Sequence, residues 1–249
     1  KQYKIILDYQ ITEDRTENGN LQYDEDGNIK YRGMYGEVIV EDADTGSIIW
    51  NISKYHLNDT KDIESGTVTI GFDVEYNRPY ILATHNTRLK YRIIPNFDDS
   101  GYKITNILRG NSTVSLPDPE SEYFFNDNTK ETFSLSVSFE KSKYIVRYEM
   151  ATNITNSSIS LSETEVVWDG SVTINIVVDK GSYLSKLDYA KSLTSFDIVD
   201  TIFAYDSQLP GTADGSYVVH PPDSAGMQHI SYTLTSIKTP ISFRVEITR

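Results

Sequence analysis

One short motif in the chain could carry out hydrolytic chemistry, the loop Asp44-Thr45-Gly46. A loop of this kind can present a carboxylate that shares a proton with the carboxylate of a second loop, as acid proteolysis requires. Glu41 and Asp42 disfavour that reading, because such a site has apolar side chains before its loop. The alternating residues before the triplet and the apolar stretch after it are typical of two strands joined by a turn. We therefore predict that Asp44 is a turn residue and is not catalytic.

Acidic loop residues suggest a calcium site. Asp24 and Asp26 fit the start of an EF-hand loop only if Gln22 is its first ligand and Gly33 its last, and neither position carries the required carboxylate. A looser calcium site between modules remains an open alternative. It would use carboxylates from Asp98, Asp99, Asp118 and Glu120.

The histidines show no spacing typical of metal ligands. They are His56, His85, His220 and His229. The chain also has no Gly-x-Ser-x-Gly stretch of the kind that exposes a nucleophilic serine. We predict no metal, no cofactor and no enzymatic activity.

A binding site is predicted in the turn-rich segment from Ala204 to Gln228. Its prolines and glycines resist regular structure, and long loops on rigid sandwiches often carry function. The segment lacks Lys and Glu, a composition typical of an interface. We predict that it contacts a neighbouring subunit or another partner, or alternatively that it folds back over its own sandwich. The candidate partner-binding residues are Tyr205, Tyr217, His220 and His229.

Composition limits the classes of partner. The 249 residues have a net charge of −13 and a pI near 4.7, which disfavours nucleic acid and anionic membrane surfaces as partners. With no cysteine, the chain has neither a disulfide framework nor a thiolate metal site. It contains no apolar run long enough to span a bilayer, so membrane insertion is not expected. Since it begins Lys-Gln-Tyr, we expect a processed or excised piece.

Apolar residues at every second position predict strands, and we expect these strands to position the candidate residues described above. The clearest runs are Phe133–Phe139 and Ile241–Ile247, each with polar residues between the apolar ones. No window in the first half of the chain sustains helical spacing over three turns, and strands recur every 8–12 residues with turn residues between them. The sequence therefore predicts an all-β fold of sandwiches. Six side chains are expected to be mostly buried: Phe133, Phe139, Ile174, Ile176, Phe243 and Val245.

The chain also shows an internal repeat. Residues 87–141 and 169–249 each contain an alternating strand, a Gly-Tyr or Gly-Ser-Tyr turn, a second strand, and a closing strand after a Lys-x-Thr or Lys-Thr-Pro step. This pattern predicts tandem modules with a junction near Ser142. The expected divisions are 65–141 and 142–249, with residues 1–64 forming either an N-terminal β subdomain or part of the module that follows.

These motifs resemble the immunoglobulin-like β-repeat modules of phage virion appendage proteins and of bacterial surface adhesins, of the Listeria–Bacteroides repeat type. Gly101-Tyr102-Lys103-Ile104 fits the Gly-Tyr-x-Leu/Ile pattern of that family, whereas Ser182 replaces the aromatic residue in the second repeat. Residues 152–156, Asp197-Ile198 and Tyr205 are similar to the phage variety.

The resemblance implies a non-enzymatic structural protein of a phage virion, such as a capsid decoration, fibre or tail appendage. Such a protein acts by assembly and surface display, with other virion subunits or copies of itself as partners. A host-surface glycan or protein is a further class of partner. The alternative is a segment of a bacterial cell-surface adhesin, outside the cell, or a carbohydrate-binding segment. A symmetric assembly would favour the virion, whereas an extended monomer would favour the adhesin.

Overall fold

The computed structural model describes residues 1–52, 59–76, 78–151, 156–195, 198–205, 209–210 and 215–249. Within them the fold is almost entirely β, and the only α-helix is the single turn α1, Phe97–Ser100. The all-β prediction is therefore confirmed. The chain forms two compact units, Lys1–Lys141 (unit one) and Ser142–Arg249 (unit two).

In the described part of unit one the strands are β1 to β13. They are β1 Gln2–Asp8, β2 Ile11–Glu13, β3 Tyr31–Gly33, β4 Gly36–Asp42, β5 Ile48–Trp50, β6 Thr60–Ile63, β7 Gly66–Asp73, β8 Arg78–Thr84, β9 Arg88–Pro95, β10 Tyr102–Arg109, β11 Ser112–Thr113, β12 Tyr123–Asn128 and β13 Phe133–Lys141. Seven of them form a sheet in the order β11-β10-β13-β1-β8-β7-β6, and four form a second sheet in the order β12-β9-β4-β5. Strands β2 and β3 pair with each other.

The two larger sheets of unit one share a single core. Alternate side chains of both sheets, such as Ile5, Leu135, Tyr91 and Val40, are fully buried in one apolar cluster. Residues from the first 64 belong to this core, because β1 lies between β13 and β8, and β4 pairs with β9. This arrangement has the character of a β-sandwich.

Unit two contains the remaining strands. They are β14 Lys143–Met150, β15 Ser158–Leu161, β16 Glu165–Val167, β17 Gly170–Val178, β18 Tyr183–Ala190, β19 Ile198–Ala204, β20 Leu209–Pro210, β21 Gly215–Val219, β22 Gln228–Ile237 and β23 Ile241–Thr248. One sheet has the order β16-β14-β23-β18-β19-β20 and the other the order β15-β17-β22-β21. Their inward side chains form a second, separate core cluster that includes Ile174, Tyr232 and Phe243.

The two units share a pattern of strand pairing. In each, the first strand pairs in parallel with the last, β1 with β13 and β14 with β23. The last strand also pairs antiparallel with β10 in unit one and with β18 in unit two. In the smaller sheets the central strands β9 and β17 pair with the penultimate strands β12 and β22. The segments aligned as a repeat in the sequence therefore hold equivalent positions in the two units.

The turns that precede β10 and β18 explain why both repeats have a glycine at this point. Gly101 closes α1 with φ of 69°, and Gly181 precedes β18 with φ of 82°. Both values lie in the left-handed region, which glycine adopts without the steric cost that a Cβ brings. The residues quoted at 152–155 and 197 lie outside the described ranges.

Five of the six predicted core side chains are buried: Phe133, Ile174, Ile176, Phe243 and Val245. Phe139 differs, since it is half-buried and packs against the edge of the first core. Its ring lies over Gly36, where a Cβ would come within 2.5 Å of it. The strand alternation placed Phe139 on the correct side, but it lies near the end of β13, where the sandwich provides less cover.

Candidate binding surface

The outward strand residues of the four-stranded sheet of unit two carry no charge. Most of its inward positions are apolar and buried, as Val172, Ile174 and Ile176 show on β17. Because successive side chains of a strand point to opposite sides, the intervening residues face outward. We call these outward residues the hydroxyl face. They are Ser158, Ser160, Ser171, Thr173, Asn175, Val177, Ser216, Val218, His220, His229, Ser231, Thr233 and Thr235.

Strand register brings these residues into rows across the sheet. Asn175 lies opposite Ser160 on one side and Ser231 on the other, and Val218 lies opposite Ser231. Thr173 and Thr233 lie opposite each other, and their hydroxyls are hydrogen-bonded at 2.8 Å. The face is thus a continuous array of hydroxyl, amide and imidazole groups with two valines in it.

A groove of about 320 Å³ lies at one end of the hydroxyl face. It is lined by Asn175, Val177, His220, His229 and Ser231, with Ile176 and Ile230 contributing to its walls. His220 Nε2 and Ser231 Oγ are hydrogen-bonded at 2.8 Å. The backbone N–H of His220 donates to the carbonyl of His229, which fixes the two histidines on adjacent strands.

A tight loop after β21 orients His229. Asp223 Oδ1 accepts the backbone N–H groups of Ala225 and Met227, and its Oδ2 lies 3.0 Å from His229 Nε2. The contact with His229, together with these backbone donors, lowers the pKa of Asp223. His229 is therefore held by a carboxylate that is itself held by the backbone.

The polar groups of the groove do not form a nucleophilic triad. A triad needs one histidine that contacts both the serine and the carboxylate. Here Ser231 bonds to His220, whereas Asp223 bonds to His229. The groove can donate and accept hydrogen bonds. However, the histidine that contacts Ser231 is not the one that contacts the carboxylate of Asp223.

The structure separates the four predicted partner-binding residues. His220 and His229 both line the groove. Tyr217 faces the other way, packs against the core, and stacks on Phe203 with ring centroids 5.5 Å apart, and burial raises its pKa. Tyr205 follows β19 of the other sheet, is 55% exposed, and has its ring 4.4 Å from that of Tyr183. Residues 206–208 and 211–214 of the predicted segment lie outside the described ranges.

Sequence reasoning did not find most of the groove. Asn175, Val177 and Ser231 lie at outward positions of β17 and β22, and the alternation by itself assigns them no role. The available signal was the run of Ser, Thr and Asn at every outward position of β17 and β22, where a chain with 24% charged residues would be expected to place Lys or Glu.

The corresponding sheet of unit one has an outer surface of opposite chemistry. We call it the charged face. Its outward residues are Glu37, Ile39, Glu41, Ile48, Arg88, Lys90, Arg92, Ile94, Phe124, Asn126 and Asn128. Glu41 is 4% exposed, accepts a hydrogen bond from Arg92 at 2.7 Å, and lies 3.5 Å from the Lys90 ammonium. Hydrogen bonds to Glu122 and Glu41 raise the pKa of Arg92.

The motif loop at Asp44 belongs to the edge of this charged face. Asp44 accepts hydrogen bonds from both Nε and Nη2 of Arg88, at 2.9 and 2.7 Å. A second triplet of similar type, Asp99-Ser100-Gly101, forms the end of α1 and its glycine cap. Asp44 is thus one half of a bidentate ion pair in this structure.

A smaller cavity of about 230 Å³ lies in unit one. Asp8 and Arg78 line it and form an ion pair at 2.5 Å, and Ser136 donates a further hydrogen bond to Asp8. Its charged groups therefore already neutralise each other. Among the described residues, no group of three or more His, Asp or Glu side chains is placed to hold a metal ion.

An exposed excursion between β1 and β4, residues 10–34, is the last candidate surface. Gly33 is its only buried residue, and short backbone pairings such as Tyr23 with Ile29 hold it together. Three large apolar side chains on it face solvent. They are Tyr23 at 55%, Tyr31 at 39% and Met34 at 44% exposure.

Comparison with known proteins gives no relative: no family model, no curated protein and no solved structure matches the chain. No helix in the described part of the chain is long and apolar enough to cross a membrane.

Proposed function

We propose that the chain is a non-enzymatic structural protein built of tandem immunoglobulin-like β-sandwich modules, which acts by assembly and surface display in a phage virion. The observation that carries this proposal is the shared strand pairing of the two units, each with its own core. A chain that repeats a self-contained sandwich provides rigid sheets whose outer surfaces can differ freely. That design suits a capsid decoration, a fibre or a tail appendage.

The excursion at residues 10–34 supports assembly. Exposed apolar side chains grouped on one segment are typical of protein contact sites. Tyr23, Tyr31 and Met34 offer aromatic and flexible apolar groups, which are enriched in protein interfaces. A neighbouring subunit that covers this segment would remove their surface from water.

The experiment is sedimentation velocity combined with electron microscopy of the purified chain. The proposal expects a symmetric oligomer, and it expects Tyr23→Ser with Met34→Ser to lower the association state without lowering the melting temperature. Tyr76→Ser is a matched control, because Tyr76 is also exposed, at 59%, but lies outside the excursion. A native protein that remains monomeric at all concentrations would contradict the proposal.

A bacterial surface adhesin is the second candidate function. The groove on the hydroxyl face favours it, because an adhesin module needs a ligand site and does not need to oligomerise. A monomer in sedimentation with a functional groove would support the adhesin.

A further inference from the structure

We infer that the groove on the hydroxyl face binds a neutral carbohydrate, through Asn175, Ser231, His220 and His229. The inference names a ligand class for the display role proposed above. Carbohydrate binding does not require assembly, so a separate experiment tests it.

The absence of charge on this face identifies the class of ligand. None of the outward strand residues of the hydroxyl face is Asp, Glu, Lys or Arg, although the chain has a net charge of −13. The loop carboxylate beside the groove, Asp223, is already bonded to His229 and to two backbone N–H groups. The fold does not impose this, because the equivalent strand β9 of unit one carries Arg88, Lys90 and Arg92 at its outward positions. A phosphate, a sulfate or a uronic acid would need cationic partners. A neutral ligand does not.

The donor and acceptor groups match those of a polyol. Hydroxyl and amide groups each both donate and accept hydrogen bonds, as a sugar hydroxyl does, and the imidazoles offer further ring nitrogens. Asn175 is exposed in the groove, and within the described residues its amide makes no hydrogen bond. Thr173, two residues away on the same strand, is already paired with Thr233. Asn175 is therefore the side chain with free capacity for a ligand.

The groove also has the necessary size and apolar surface. Its volume of 320 Å³ lies at the lower end of small-molecule sites, which run from about 300 Å³ upward. Val177 lines the groove, and Val218, opposite Ser231, is exposed beside it. These valines can contact the C–H groups on one side of a sugar ring, while the polar groups contact its hydroxyls.

The same composition disfavours a protein as the occupant. The centres of protein interfaces are enriched in Tyr, Trp and Arg and depleted in Ser. The hydroxyl face has none of the first three and is rich in Ser and Thr. A second copy docked through this face would set hydroxyl against hydroxyl, which gives little gain over hydration by water.

The experiment is an NMR titration of the isotope-labelled full chain at pH 7.5. The probes are six neutral methyl glycosides, those of glucose, galactose, mannose, xylose, fucose and N-acetylglucosamine, with the methyl glycoside of glucuronic acid as a charged comparison. The inference expects at least one neutral glycoside to give saturable shifts at the backbone amides of Asn175, Val177 and Ser231. It expects the glucuronide to give none there.

Two variants on the same strand make the test specific. Asn175→Ala should weaken binding of the responsive glycoside about tenfold, the effect of about one ligand hydrogen bond lost. Thr173→Ala, the matched control outside the groove, should leave binding within about twofold, because Thr173 already has its partner. Both positions are outside the core, so the variants are expected to remain folded.

Three results would overturn the inference. The first is that none of the six neutral glycosides shifts the groove residues. The second is that the glucuronide binds there as well as they do. The third is that the groove shifts follow protein concentration without sugar, which would make a second copy the occupant. The first two results would leave the assembly proposal untouched, since sedimentation and the excursion variants test it. The third would show self-association, but through the groove and not through the excursion.

Discussion

The charged face of unit one and the hydroxyl face of unit two occupy equivalent sheets and have opposite chemistry. Strands β9 and β17 pair with corresponding neighbours, yet one carries Arg88, Lys90 and Arg92 outward and the other Thr173 and Asn175. On β9 each cation has a carboxylate partner, so that face stabilises itself. On β17 the polar groups are neutral and in part unpaired. The difference shows that the sandwich sets which residues face outward and leaves the chemistry of those residues free to differ.

The two tryptophans allow each unit to be followed separately. Trp50 is buried in unit one, and Trp168 lies in unit two. A Trp168→Phe background reports the unfolding of unit one, and a Trp50→Phe background reports the unfolding of unit two. Each stability prediction below is measured in the background that keeps the tryptophan of the unit concerned.

The largest expected effect is on the inner side of β17. Ile176 is fully buried, so Ile176→Ala should lower the free energy of unfolding of unit two by about 2–5 kcal/mol. Its outward neighbour Asn175, changed to Ala, should alter it by no more than about 0.5 kcal/mol. Urea unfolding followed by Trp168 fluorescence measures both. Equal losses for the two variants would contradict the assignment of inner and outer sides.

Next in size is the ion-pair network of the charged face. Glu41→Gln removes the charge that Arg92 and Lys90 face, and should cost unit one about 1–3 kcal/mol. Thr173→Val on the hydroxyl face removes one neutral hydrogen bond and should cost unit two about 1 kcal/mol or less. Urea unfolding in the two backgrounds gives the comparison. A larger loss from Thr173→Val would mean that the hydroxyl face is the more structural of the two.

A smaller effect depends on pH and concerns Glu37 of the charged face. Burial raises the pKa of Glu37 even though Gly33 donates a backbone hydrogen bond to it. A carboxyl with a raised pKa in the folded state favours folding while protonated, so it opposes folding once pH rises through that pKa. Glu37→Gln should therefore gain stability relative to the native chain at pH 7, and this gain should vanish near pH 4. Urea unfolding at both values tests it, and a gain that grows towards acid pH would contradict the burial argument.

The sequence predicted the strands of both units well because inward and outward residues alternate cleanly, as on β17 and β23. The half-burial of Phe139 was not predictable, since it depends on how far the opposite sheet extends over the end of β13. The groove was beyond sequence reasoning for a similar reason. Asn175 and Ser231 become neighbours only through the pairing of β17 with β22, more than fifty residues apart, and alternation within one strand carries no information about register between strands.

The tyrosines and histidines predicted as one partner-binding group lie on different sides of the fold for a physical reason. Tyr205, Tyr217 and His220 lie in one turn-rich segment and His229 directly follows it, so the sequence groups all four. In the structure β21 directs Tyr217 to the core and His220 to the outer side. Which side a loop-flanking residue takes depends on where the strand begins, and the glycines and prolines around it leave that point undetermined.

The most direct test exchanges a neutral and a charged residue between the hydroxyl face and the charged face. Asn175→Lys places a charge in the groove, and Lys90→Asn removes one from the charged face. The titration with the neutral glycosides, run on the native chain and both variants, should show saturable groove shifts in the native chain and in Lys90→Asn, and none in Asn175→Lys. The amide spectrum of Asn175→Lys should otherwise remain that of the folded protein. Groove shifts that survive unchanged in Asn175→Lys, or that disappear in Lys90→Asn, would contradict the claim that unit two carries the ligand site and unit one does not.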